Sequence, residues 1–297
     1  MKTQLFTGTG VALVTPFTED DVDLPLMGEL IDRQLAAGTD CLVVLGTTGE
    51  PTTMTERECD AVIEYTVRRV DGRVPVVVGA GDNDTRRALE KCRRRTESGA
   101  DGLLTVTPYY NKATQDGMVR HFEMLADAAR VPLILYNVPS RTGVNLLPET
   151  VKRLAAHENI CGFKEASPSI VQLSEAVRLC EGQLSVYAGN DDLALPAMAV
   201  GARGVISVIG NAWPEQVVRM TDCFFRGELE AARAAYQEMA VLTRLLFQEV
   251  SPIPIKAALR LMGYGDGRLR MPLTDISKDN EDELLLELQR LGLVRGR

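Results

Sequence analysis

The sequence predicts an α/β chain, a (β/α)8 TIM barrel followed by a C-terminal helical extension. Three observations carry this. Eight short apolar runs, mostly rich in Val, Ile and Leu, recur along the first three quarters of the chain. Each is followed by a longer amphipathic stretch, and polar, glycine-rich signals stand at the ends of most of the runs. Eight strands each followed by a helix is the count for a closed parallel barrel. An open doubly wound sheet usually has fewer strands, and a dinucleotide-binding one carries a glycine fingerprint after the first.

The expected strands are residues 10–14, 41–46, 74–79, 102–108, 131–138, 160–166, 184–189 and 204–208. Near-continuous apolar runs of this length, bounded by Gly, Pro or polar residues, suit strands buried on both faces. The helical patterns between them cover 26–37, 56–70, 84–98, 116–129, 148–156, 170–179, 193–200 and 215–225. The barrel is expected to span 1–227. Residues 228–297 read as helices only, at 228–247, 254–262 and 280–291, packed on the barrel, with a turn-rich linker at 263–272.

A formal net charge of −8 repels phosphate backbones, so nucleic acid is not an expected partner. No apolar stretch is long enough for a membrane span or a secretory signal, and the expected location is the cytoplasm. The six cysteines are scattered and form no CxxC, which reads as reduced thiols. Only two histidines are available. His157 and Cys161 are the nearest candidate metal pair, and two ligands do not make a site, so no metal is expected.

Chemistry-bearing residues gather at strand ends. Lys164 lies in ICGFKEA, where alternation along the strand puts Gly162 and Lys164 on one face and Cys161 and Phe163 on the other. A lysine at the C-terminal end of a barrel strand points to the mouth where catalytic groups collect. Burial there disfavours the ammonium form and leaves an amine able to attack a carbonyl. Taken alone, Lys164 also fits a lysine snorkelling at a strand end or paired with Glu165. The fifth strand ends in YNVPSRTG, where Tyr136 could move protons and Arg141 could hold a carboxylate; a core aromatic and a loop charge are the plain alternatives. The second ends in GTTGE (46–50), whose glycines and threonines suit close approach to a carboxylate or a simple turn. Tyr109 and Tyr110 follow the fourth strand, AGND (188–191) the seventh, and GVISV (204–208) carries Ile206 on the eighth. A purely structural barrel has no reason to line up such signals on one face.

These motifs, in this order, resemble the pyruvate-dependent class I aldolase and N-acetylneuraminate lyase family, and within it the dihydrodipicolinate synthase group. The resemblance runs from GTGVALVTPF (8–17) to PLTD (272–275) and rests on GTTGE, PYYN, YNVPSRTG, GFKEA and GVISV together. It implies condensation of pyruvate with L-aspartate 4-semialdehyde, a step of lysine and diaminopimelate biosynthesis. Lys164 would form the imine, and Tyr136 would give and take protons. Thr47 and Tyr110 would complete a relay, with Tyr110 reaching in from a neighbouring subunit. Thr48, Gly189 and the Ile206 backbone would contact substrate, and Arg141 would bind the carboxylate of the aldehyde. The resemblance further implies a homotetramer built as a dimer of dimers and no organic cofactor.

Two positions depart from the family pattern. Asn190 replaces the first acid of the seventh-strand loop, and Arg87 stands where lysine-inhibited members present a carboxylate to the effector's amine. A cation at Arg87 repels that amine, so weak or absent inhibition by lysine is expected, with Glu56 the acid that could compensate. Sister lyases acting on sugar acids share Lys164 and Tyr136; Arg141 and the paired threonines favour a small carboxylated aldehyde. A non-catalytic keto-acid-binding barrel is the rival from another class, and the intact set of Lys164, Tyr136 and Tyr110 argues against it.

Overall fold

In a computed structural model describing residues 2–180 and 182–294, the apolar runs form eight parallel strands closed in sequence order. They are β1 (Gly8–Ala12), β2 (Cys41–Val44), β3 (Val76–Gly79), β4 (Gly102–Val106), β5 (Leu133–Asn137), β6 (Ile160–Glu165), β7 (Ser185–Ala188) and β8 (Gly204–Ser207). Around them run α1 (Leu24–Ala37), α2 (Glu56–Val70), α3 (Thr85–Thr96), α4 (Gln115–Ala128), a one-turn α5 (Pro139–Thr142), α6 (Pro148–Leu154), α7 (Ile170–Cys180), α8 (Ala194–Ala199) and α9 (Pro214–Phe225). The extension holds α10 (Leu229–Leu246), α11 (Ile253–Leu261) and α12 (Lys278–Arg290), with α10 packed on α9 and α12. Met1, Glu181 and the last three residues of the extension expected over 228–297 lie outside the described residues. Among the described residues no helix is long and apolar enough to cross a membrane.

Alternation along the strands builds two apolar layers. Leu42, Val44, Val78, Leu135 and Phe163 face the helices, while Val43, Val77, Ile134, Tyr187 and Ile206 fill the barrel. Both layers are buried, so truncating a wholly buried side chain such as Phe163 to Ala would cost about 3–5 kcal/mol. Phe6 and Tyr187 stack at 4.3 Å inside the barrel, and the Tyr187 hydroxyl donates to the Phe6 carbonyl at 2.8 Å.

Two local expectations need correction. The first strand begins at Gly8 rather than residue 10, because Gly8–Val11 pair with Gly204–Ser207 to close the barrel. At that seam Gly204 has φ 147, and a Cβ there would lie 1.9 Å from the Gly8 carbonyl oxygen, so only glycine fits. The second concerns β6. Leu133 pairs with Ile160 and Ile134 with Gly162, so Cys161 is an extra residue. The bulge turns Cys161 into the barrel-filling cluster instead of beside Phe163. Beyond it Tyr136 pairs with Lys164, and Lys164 with Tyr187.

Candidate active site

The loops after the strands enclose a cavity of about 510 Å³ at the C-terminal mouth of the barrel. Thr47, Tyr136, Arg141, Thr142 and Tyr109 all line it. Thr47 is placed by the chain turning sharply after β2: Gly46 starts one 3-10 turn, Thr47–Gly49, and Pro51–Thr53 forms the next. The Thr15 hydroxyl donates to the Gly49 carbonyl at 2.8 Å and ties this loop to the segment after β1. Arg141 rides on α5, and its Nη2 donates to the Ser251 carbonyl at 2.9 Å.

Lys164 is buried, with its ammonium 4.5 Å from the Tyr136 ring centroid. The alternative pairing with Glu165 does not occur. The Glu165 carboxylate points to the other face, where it accepts from Ser167 N at 2.6 Å, Gln172 Nε2 at 2.8 Å and Asn137 Nδ2 at 3.1 Å. Burial pulls the Lys164 ammonium down to about 8; the Asp191 carboxylate opposes this and the Arg141 cation adds to it. Tyr136 is pushed up by burial, against the pull of Arg141 and of a hydrogen bond from Thr47. An amine near neutrality beside a hydroxyl pair can attack a carbonyl and pass protons.

Asp191 joins these groups without a role legible in the sequence. Its carboxylate accepts from Val208 N at 2.9 Å and Ile209 N at 3.1 Å, so β8's loop fixes it, and it is the acid acting on Lys164. Burial raises its pKa, while the Ser207 hydroxyl, these two amides and Lys164 pull the other way. The only sequence signal was an acid at the end of AGND.

The other expected residues fall as follows. Ile206 is fully buried on β8, and Thr48 is buried beside Thr47. Gly189 follows β7 and its amide donates to the Glu165 carbonyl at 2.7 Å. A Cβ there would meet the Ala166 Cβ at 2.6 Å, so a larger residue would push the two loops apart. Asn190 donates to the Ser167 carbonyl at 3.1 Å. Tyr110 does not join the cluster in the single chain. It is 88% exposed with φ 73, anchored by its amide to the Thr142 carbonyl at 3.1 Å. Such backbone strain in a non-glycine residue clusters at functional sites. Arg87 lies outside the cavity wall, 3.3 Å from the buried Asp82, which Lys91 also pairs at 2.8 Å. Among the described residues no group of three or more His, Cys, Asp or Glu is placed to hold a metal ion.

Fold and mouth together define an α/β-barrel enzyme with a buried amine packed on Tyr136 of the cavity wall. The profile of the dihydrodipicolinate synthetase family matches residues 5–291, and the chain belongs to that family. It is 46% identical over 294 residues to the 4-hydroxy-tetrahydrodipicolinate synthase of Acetivibrio thermocellus, covering 99% of this chain and 100% of that one. The enzyme of the same name from Geobacter sulfurreducens is 47% identical over 290 residues, covering 98% and 100%. The crystal structure of dihydrodipicolinate synthase from Thermotoga maritima superposes with a TM-score of 0.96 at 41% identity, over 98% of this chain and 100% of that chain.

Proposed function

We propose that this protein condenses pyruvate with L-aspartate 4-semialdehyde to 4-hydroxy-tetrahydrodipicolinate through an imine on Lys164. The observation that carries this is a buried lysine, drawn down to about 8, against a tyrosine whose hydroxyl has a threonine partner. The neutral Lys164 amine adds to the pyruvate ketone, and loss of water leaves the imine. The imine draws electrons from the methyl group, which loses a proton and becomes an enamine carbon. That carbon attacks the aldehyde. The substrate's own amine then displaces Lys164 and closes the ring.

Tyr136 gives and takes the protons, with Thr47 and a neighbouring subunit's Tyr110 as relay; the exposed, strained Tyr110 supports that assembly. Thr48, Gly189 and the Ile206 backbone hold pyruvate, and Arg141 at the cavity wall holds the aldehyde's carboxylate by a charge-assisted contact. Every step uses protein groups and substrate, so no cofactor is called for. The working form is a homotetramer, and its place is the cytoplasm, a location that the six buried, free cysteines suit.

The test is incubation with pyruvate and borohydride, followed by intact mass, peptide mapping and an aldehyde turnover assay. A pyruvate adduct on Lys164 with turnover is expected. An adduct without turnover would move the substrate to that of a sister aldolase, and no adduct would sink the imine mechanism.

A further inference from the structure

Two segments far apart in sequence meet beside the mouth. One is the GTTGE loop, residues 46–50. The other is residues 251–270, which hold α11 and the turns after it. Glu50 is the joint between the two 3-10 turns and has φ 53, a left-handed conformation that a non-glycine residue keeps only where its surroundings enforce it. Glu50 is 3% exposed and its side chain pairs with Lys256 of α11, itself 2% exposed. Lys256 also donates to the Arg268 carbonyl at 2.8 Å and lies 4.1 Å from the Phe17 ring centroid.

Arg270 closes the same joint from the other end of that segment. Its amide donates to Glu50 Oε2 at 3.2 Å, and its guanidinium donates to the Thr53 carbonyl and to Glu58 Oε2, both at 3.1 Å. Glu58 is the residue that boxes the N-terminus of α2 with Thr55. Segment 251–270 also reaches Arg141 of the same cavity, through the Ser251 carbonyl that accepts from it. A buried ion pair adds little net stability over an apolar pair of the same volume, because desolvating both charges offsets their attraction. A pair at this place therefore calls for another account, and Thr47 is only three residues from Glu50.

We propose that Lys256 is a positioning residue: through the buried carboxylate of Glu50 it fixes the turn at 47–50 and so holds the Thr47 hydroxyl against Tyr136. Lys256 itself touches no substrate. The proposal rests on the proton-relay reading given above. On this account the C-terminal segment is part of the catalytic apparatus, because it locks the Thr47 turn at Glu50 and contacts Arg141 of the same cavity.

The test compares the full-length parent, Lys256→Met and the double variant Glu50→Gln/Lys256→Met by kcat, KM for each substrate, Lys164 trapping and Tm. Lys256→Met leaves Glu50 buried without its cation; the double variant removes both charges and supplies folded protein if the single one does not fold. Since small misplacements of a reacting group cost up to about a hundredfold, kcat should fall about tenfold to a hundredfold in both, with the Lys164 adduct retained. Tm should recover in the double variant while kcat does not. If kcat stays within about twofold of the parent, or recovers in step with Tm, the pair is structural only and the proposal is wrong. A parent that forms no Lys164 adduct would overturn the imine reading and the positioning role with it, whereas a working parent with unimpaired variants would overturn the positioning role alone.

Discussion

Imine formation on Lys164 should follow the ionisation of a buried amine rather than that of an ordinary lysine. With the ammonium at about 8 against an ordinary 10.5, the difference is worth ~3 kcal/mol, at about 1.4 kcal/mol per unit. At about pH 7 that leaves roughly one Lys164 in ten neutral, against roughly three in ten thousand for an unperturbed lysine, a ~300-fold gain in reactive amine. The perturbation is pH, stepped from about 6 to about 9.5 at limiting pyruvate, and the assay is the initial rate of reductive trapping read by intact mass. The rate should climb about tenfold between pH 6 and 7 and level off not far above 8. Asp191→Asn gives the sign: Asp191 favours the ammonium form, so its neutralisation should move the midpoint lower. A rate still climbing steeply between about pH 9 and 9.5, or a midpoint that rises in Asp191→Asn, would refute the account of Lys164 as an amine released by burial.

Tyr136→Phe keeps the ring against Lys164 and removes the proton carrier, so kcat should drop about 10²–10⁴-fold while the protein still binds pyruvate; a loss under threefold would remove Tyr136 from the relay. Lysine should leave turnover unchanged at sub-millimolar concentration, because Arg87 presents a cation, and Arg87→Glu should introduce sensitivity; clear sub-millimolar inhibition of the parent would contradict this. Stability should fall on the acid side through His121. Burial holds this residue at about 4 in the folded chain, with Asp82 opposing, whereas the unfolded chain protonates near 6.5. The unfolded state thus binds the extra proton first, and stability is lost as pH falls from about 6.5 to about 4, with about 2 kcal/mol gone by pH 5. Urea titrations at pH 7 and 5 should show a smaller difference in His121→Leu than in the parent; equal differences would assign the acid limb to other groups.

Much of this molecule can be read from its order of residues, because the relevant signals are local. Runs of Val and Leu bounded by turn residues report parallel strands whatever surrounds them, and the end of each strand is where a barrel exposes side chains. That is enough to expect Lys164, Tyr136, Arg141 and Thr47 at one mouth; in the fold Thr47, Tyr136 and Arg141 line the cavity and Lys164 packs on the Tyr136 ring. Other features depend on where distant segments come to rest. The bulge that turns Cys161 inward arises from register between β5 and β6, which alternation within one strand does not encode. The Lys164 amine owes its proton affinity to burial, to Asp191 on the next strand's loop and to Arg141, and no spacing in the chain expresses that sum. Glu50 and Lys256 are 206 positions apart by their numbers and read as an ordinary turn acid and a helix lysine. Only closure of the barrel and docking of α11 bring them together in a buried place, where a charge is tolerable because its partner is there. The chain by itself determines which groups are available and which face carries them; the tertiary structure decides their ionisation and their precision, since desolvation and Coulomb interaction act through space.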